Sequence, residues 1–223
     1  MKRSVIFDLD GTLCDTSGDL LAAANVALAE LGHDIRLDAD RAEDRATAVR
    51  GGRAMLRLGL NRLGIDDEAQ VDAGYQPLLD AYGAAICHHT VFYPGAREAV
   101  TRLREAGDAV AICTNKPEAL ALQLIGELGA ADLFDALIGA DTLPVRKPDP
   151  APLLAAIERV GGTASRSVLV GDTTTDRETS RAAGIPSILV TFAPAGASVA
   201  DLRPDALLHH FDDLEAALSV VGL

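Results

Sequence analysis

The sequence predicts an α/β protein: a doubly wound parallel sheet with an all-helical domain inserted into it. First, the apolar run Val5-Ile6-Phe7 leads straight into Asp8-Leu9-Asp10-Gly11-Thr12, as a strand buried on both faces would before leaving the sheet. Second, strand and helix patterns alternate from Phe92 onward, which implies parallel strands joined by crossover helices. Third, residues 16–91 carry helical periodicity only, far more chain than a crossover needs.

Taken in order, Leu20, Ala24, Ala27 and Leu31 share one helical face, with Ser17 as a cap and Gly32 as a stop. Residues 38–49 read as a polar helix. After the Gly51-Gly52 break, Leu56, Leu60 and Leu63 form a second stripe, and Val71, Leu78, Leu79, Tyr82 and Ile86 a third. Gly74 and Pro77 predict a kink or break in that last helix. Beyond residue 92 the expected order is helix 96–105, strand 109–113, helix 117–129, strand 136–138 and helix 150–160. Strand 167–170, helix 176–183, strand 187–191 and strand 206–208 complete it. The domains are therefore expected at 1–15 plus 92–223, a Rossmann-like core, and at 16–91, a helical cap placed as a lid over the strand ends.

Composition narrows the function classes. A formal charge of −13 and the lack of any basic run argue against nucleic acid and anionic membranes as partners. Cys14, Cys87 and Cys113 show neither CxxC spacing nor the even count of a disulfide framework. No stretch suits a membrane span, and a cytoplasmic monomer or homodimer is expected. GxGxxG does not follow the first strand, and GxxxxGK[ST] is absent, which disfavours dinucleotide and P-loop chemistry.

Ligands of open α/β sheets bind outside the carboxyl ends of the strands, so the residues after each strand are the candidates. Asp8 and Asp10 follow the first strand, and residues i and i+2 of an extended chain share a side. Thr114 and Asn115 follow the 109–113 strand, Lys147 precedes the helix at Pro150, and Asp172 and Asp176 follow the 167–170 strand. Thr175 and Glu178 have capping-box spacing. Four carboxylates against one lysine leave three negative charges. A phosphate dianion would be repelled there without a cation, and oxygen donors of this kind suit Mg²⁺. These residues point to a Mg²⁺-dependent phosphate site with one carboxylate free to attack. Lys116 has only the TNK string to single it out and reads as a surface residue.

DLDGT, then TN, then Lys before PDP, then GDTTTD resembles the four motifs of the haloacid dehalogenase superfamily. The segments FYPGAREAVTRLREAG, TNKPEALALQLI and LPVRKPDPAPLLAAIERVG are similar in particular to phosphoglycolate phosphatases. The resemblance implies a phosphomonoesterase of a small acidic phosphorylated metabolite, 2-phosphoglycolate foremost. It implies Asp8 as the nucleophile that becomes an aspartyl-phosphate and Asp10 as acid, then base. Thr114 and Lys147 would hold phosphoryl oxygens, with Asn115 beside them. Asp8, the Asp10 carbonyl and Asp172 would ligate Mg²⁺, supported by Asp176. Thr173 stands where serine is common, which keeps the hydroxyl.

Substrate choice is expected in the cap, where Gly51 and Gly52 could cradle a carboxylate. The stretch resembles a Gly-rich segment of the phosphoglycolate phosphatase cap, and that resemblance implies a small residue where this chain has Arg50. Arg50, Arg53 and Arg57 could meet an anion, although a solvated helix face explains them as well. The clusters Cys87-His88-His89 and His209-His210 read as surface or hinge residues rather than metal sites. Lys2, Lys116 and Lys147 are the only lysines, so the cap has none for a Schiff base. The metal-free dehalogenase chemistry does not need Asp10. Sugar or nucleotide phosphotransferases, including a phosphoglucomutase-type enzyme, share the core motifs and stay open as alternatives. A phosphoryl-relay receiver module is disfavoured because both acids sit on the first strand.

Overall fold

A computed structural model describes residues 2–223. The chain divides into two compact units, one of residues up to Asp15 with Phe92–Leu223, the other Thr16–Val91.

The larger unit holds β1 (Ser4–Phe7) and the two-residue β2 (Cys14–Asp15) before the chain leaves it. The helical unit contains α1 (Ser17–Glu30), α2 (Ala42–Ala48), α3 (Gly52–Arg62) and α4 (Glu68–Ala84). The two-residue β3 (Val91–Phe92) leads back, followed by α5 (Ala96–Glu105), β4 (Ala109–Cys113), α6 (Glu118–Glu127) and β5 (Ala136–Ile138). Then come α7 (Ala151–Arg159), β6 (Ser167–Gly171), α8 (Thr174–Ala183), β7 (Ser187–Val190), β8 (Ala206–Leu208) and α9 (Leu214–Val220). Short 3₁₀ turns join several of them.

The six-stranded sheet runs β5-β4-β1-β6-β7-β8, and every pair in it is parallel. β1 lies between β4 and β6, with Phe7 in register with Ile112 on one side and Val170 on the other. Chain order thus runs outward in opposite directions from β1, which makes its carboxyl end the switch point where such sheets bind ligands. Both faces of β1 are covered. Ile6 joins a core with Ala111, Leu169, Leu153 and Ile157, while Phe7 faces Phe211 at a centroid distance of 6.4 Å. That is why four consecutive β1 residues are fully buried and why the strand reads as a continuous apolar run.

In the helical unit, α4 runs unbroken for 17 residues through Gly74 and Pro77, so the expected break does not occur. Packing outweighs the lost backbone bond. Val71, Leu78 and Tyr82 bury one stripe, and Leu31 and Leu56 lie close over Gly74, where a Cβ would meet Leu31 Cδ1 at 2.9 Å and Leu56 Cδ2 at 3.3 Å. The Asp67 carboxylate caps the helix start by accepting from Ala69 N at 2.9 Å.

Candidate active site

The carboxyl ends of β1, β4 and β6 deliver the side chains that the sequence singled out. Asp8 leaves β1 with its N–H donating to the Val170 carbonyl at 2.9 Å, which extends the ladder and fixes the Cα. Gly11, at φ 82°, then turns the chain away. Thr12 sits beneath, and its hydroxyl donates to Asp172 Oδ1 at 3.1 Å.

Lys147 is buried, with Nζ 2.6 Å from Asp176 Oδ1 and 3.0 Å from Asp8 Oδ1. Asn115 does not aim at that space by its amide nitrogen. Its Nδ2 donates to the Lys147 carbonyl at 2.9 Å and so holds the lysine's backbone. Thr114 accepts from Lys116 N at 3.1 Å, a bond that does not use the hydroxyl hydrogen.

Asp176 is committed on both oxygens. Oδ1 takes Lys147, and Oδ2 accepts from Asp172 N at 3.3 Å, Thr173 N at 3.1 Å and Thr173 Oγ1 at 2.6 Å. The capping box is thus Thr173 with Asp176, not the expected Thr175 with Glu178, because α8 starts at Thr174, two residues earlier than the sequence suggested. Gly171 is required at its position: a Cβ there would lie 2.4 Å from Asp176 Cγ.

One carboxylate oxygen from each of Asp8, Asp172 and Asp176 lies within 4.8 Å of the others. At an effective dielectric of about 20, each such pair repels by at least roughly 3.5 kcal/mol, and Lys147 attracts Asp8 and Asp176 by roughly 6 kcal/mol each. The lysine about cancels the repulsion and leaves the burial cost uncompensated. Burial accordingly pushes the Asp172 carboxyl well above its usual range and the Asp8 carboxyl up to about 6, despite the pull of Lys147 on the latter. Burial alone would favour a neutral Lys147, but Asp176 and Asp8 hold its ammonium above the usual range.

A divalent cation fits this donor set. Asp8 Oδ1 and Asp172 Oδ2 are buried without a hydrogen-bond donor among the described residues. Lys147 stands at ion-pair distance from the former, outside hydrogen-bond alignment. Hard oxygen donors with unused lone pairs are what Mg²⁺ prefers.

One residue overturns its sequence reading. Lys116 is not at the surface: its side chain is 4% exposed and its Nζ stands 2.8 Å from Asp10 Oδ1. Lysine is a surface residue by default, and only the tertiary pairing with Asp10 reveals this one. It also raises the count of ammonium groups at the strand ends to two.

Gly51, Gly52, Arg50 and Arg53 belong to the helical unit. Gly51 precedes α3 at φ 92°. A Cβ on Gly52 would meet Leu78 Cδ2 at 3.0 Å, so that glycine serves the packing of α3 on α4. Arg50 is exposed, whereas Arg53 pairs with Asp72 and stacks on Tyr75 at 4.6 Å, and Arg57 pairs with Glu68. His89 donates its backbone N–H to Asp19 at 3.0 Å, and His210 caps the turn before α9.

Comparison with known proteins places this geometry. The family described as haloacid dehalogenase-like hydrolase matches residues 5–190. A phosphoglycolate phosphatase of Mesorhizobium japonicum is 42% identical over 222 residues, covering 98% of this chain and 96% of its own. One from Caulobacter vibrioides is 36% identical over 221 residues, covering 96% and 90%. A haloacid dehalogenase-like family hydrolase from Streptococcus pneumoniae shares the fold at a TM-score of 0.81 and 20% identity, covering 96% of this chain and 97% of that one. By family match and by relatives similar over nearly its full length, this chain belongs to the haloacid dehalogenase-like hydrolases, as a phosphoric monoester hydrolase.

Proposed function

We propose that this chain hydrolyses a small acidic phosphomonoester, 2-phosphoglycolate foremost, through an aspartyl-phosphate on Asp8, with Mg²⁺ as cofactor. The observation that carries the reading is the buried Asp8 carboxylate, 3.0 Å from the Lys147 ammonium and beside two further aspartates. The substrate rests on relatives that are named phosphoglycolate phosphatase and align almost end to end.

Asp8 and Asp172 are the residues that would hold Mg²⁺, together with the Asp10 carbonyl, while Asp176 orients Lys147 and the β6–α8 turn. When bound, the ion would neutralise negative charge at the site. In the first step an Asp8 oxygen attacks phosphorus, the ester P–O bond breaks, and the departing oxygen takes a proton from Asp10 and leaves as the alcohol. In the second, water attacks phosphorus, its proton passes to Asp10, the Asp8–phosphorus bond breaks and inorganic phosphate departs. Lys147 and the Thr114 hydroxyl bind the phosphoryl oxygens in both. Domain roles follow the same proposal: 1–15 with 92–223 carries the chemistry, and 16–91 acts as the cap that selects the substrate. Within it Gly51 and Arg50 are the residues we assign to that choice, since Gly52 and Arg53 are engaged in helix packing.

Phosphate release across a panel of small phosphate esters, with and without a chelator, tests the proposal. Expected are a preference for 2-phosphoglycolate, loss of turnover on chelation, and an inactive Asp8→Asn variant. Turnover that survives chelation would refute the metal, and preference for a hexose or nucleotide phosphate would refute the substrate alone.

A further inference from the structure

We infer that Lys116 is a positioning residue for Asp10, fixing one oxygen of that carboxyl so that the other is presented to the leaving group. The inference rests on the roles proposed above for Asp8 and Asp10. Lys116 is buried and Asp10 half-buried: the lysine side chain is 4% exposed, that of Asp10 15%, and Nζ lies 2.8 Å from Oδ1.

Both ends are anchored before the pair forms. Lys116 donates its N–H to Thr114 Oγ1 at 3.1 Å and accepts at its carbonyl from Ala140 N at 2.9 Å. Pro117 follows immediately as the cap of α6, which fixes φ there. Asp10 is held by its bridge to Cys14, with Gly11 N donating to the Cys14 carbonyl at 2.9 Å. The ammonium is therefore delivered to Oδ1 from a backbone that is itself hydrogen-bonded on both sides of the pair.

The positional logic separates the two carboxylates of the first strand by their lysines. Lys147 serves Asp8 and Asp176, while Lys116 serves Asp10. A carboxyl that must hand over a proton and later accept one gains from being locked in one rotamer, because a misplacement of about 1 Å can cost about a hundredfold in rate.

The signature of this role is dependence on the leaving group. An aryl phosphate releases a stabilised phenolate that needs no proton, whereas an alkyl phosphate such as 2-phosphoglycolate does. In Lys116→Met, single-turnover release of glycolate should fall about tenfold or more, while the burst of p-nitrophenolate from p-nitrophenyl phosphate should fall less than about threefold. Lys116→Arg should recover most of the alkyl rate. Melting temperatures, and a crystal structure of Lys116→Met showing the Asp10 side chain turned from its present position, check the same point without turnover. If Lys116→Met is poorly folded, Lys116→Gln, which removes the ammonium and is one atom shorter but keeps a polar tip, takes its place with the same split between substrates expected. Equal losses with both substrates, or an unmoved Asp10, would overturn the inference. Asp8→Asn, run in parallel, reports separately on the proposed function: if it stays active, that reading fails whatever the Lys116 variants do.

Discussion

Gly171 shows how tightly the residue scale constrains this site. The last residue of β6 has no room for a Cβ, which would press on Asp176 Cγ at 2.4 Å and Cβ at 2.5 Å. Asp176 cannot yield cheaply, since Lys147 holds one oxygen and the Thr173 turn holds the other. Gly171→Ala should therefore displace Lys147 and lower kcat/KM by about a hundredfold, with a loss of about 1–3 kcal/mol in stability. Steady-state kinetics and denaturant melts check it, and an unimpaired variant would show that the Asp176–Lys147 contact need not be rigid. At this scale the sequence was a good guide to carboxylates and a poor one to their partners. Asp8, Asp172 and Asp176 were legible because strand ends collect at one edge of a parallel sheet. Lys116 was not, because a lysine in a turn carries no local sign that an aspartate a hundred residues away will meet it.

At the scale of elements, strands were legible as short apolar runs bounded by turn residues. β4, β5 and β8 occur where the apolar runs place them, whereas α9 carried its signal only in Leu214, Ala217 and Leu218, too short a stripe to stand out. Pro77 misled because propensity is local and the packing of α4 is not. The helical unit also contains an ion pair that ties two elements. Asp44 of α2, fully buried, receives Arg62 of α3 through Nη1 at 3.0 Å and through Nη2, and accepts from Asp38 N at 2.7 Å. Burial works to raise the Asp44 carboxyl, but Arg62 and the Asp38 amide hold it below the usual carboxylate range. Arg62→Met leaves that carboxylate buried without its cation and should destabilise the protein by about 2–3 kcal/mol at neutral pH. The sign of the pH dependence follows. A depressed folded-state value contributes stability above the unfolded value, near 4, and loses it as pH falls through the lower folded value. The gap between parent and variant should narrow below about pH 4, and a gap that is constant with pH would locate the effect in packing of the arginine stem.

At the scale of the whole molecule, the site is a product of the complete sheet. Residues 8, 147, 172 and 176 meet because β1 sits between β4 and β6, with β5 beside β4, so site and core form together and the proposed metal affinity should appear as stability. Asp8 Oδ1 and Asp172 Oδ2 are buried carboxyl oxygens without a hydrogen-bond donor among the described residues, a cost the fold carries for function. Saturating Mg²⁺ at about a hundred times its Kd should add about 2.7 kcal/mol, which for a chain of this size is a rise of roughly 5–10 °C in Tm. Asp172→Asn should lose that rise. Its metal-free Tm should nevertheless exceed the parent's, because the amide removes a charge that burial and Asp176 both disfavour. The two effects have opposite signs in one variant, which separates a metal site from a structural carboxylate: a structural Asp172 would lower the metal-free Tm and leave the Mg²⁺ response in place.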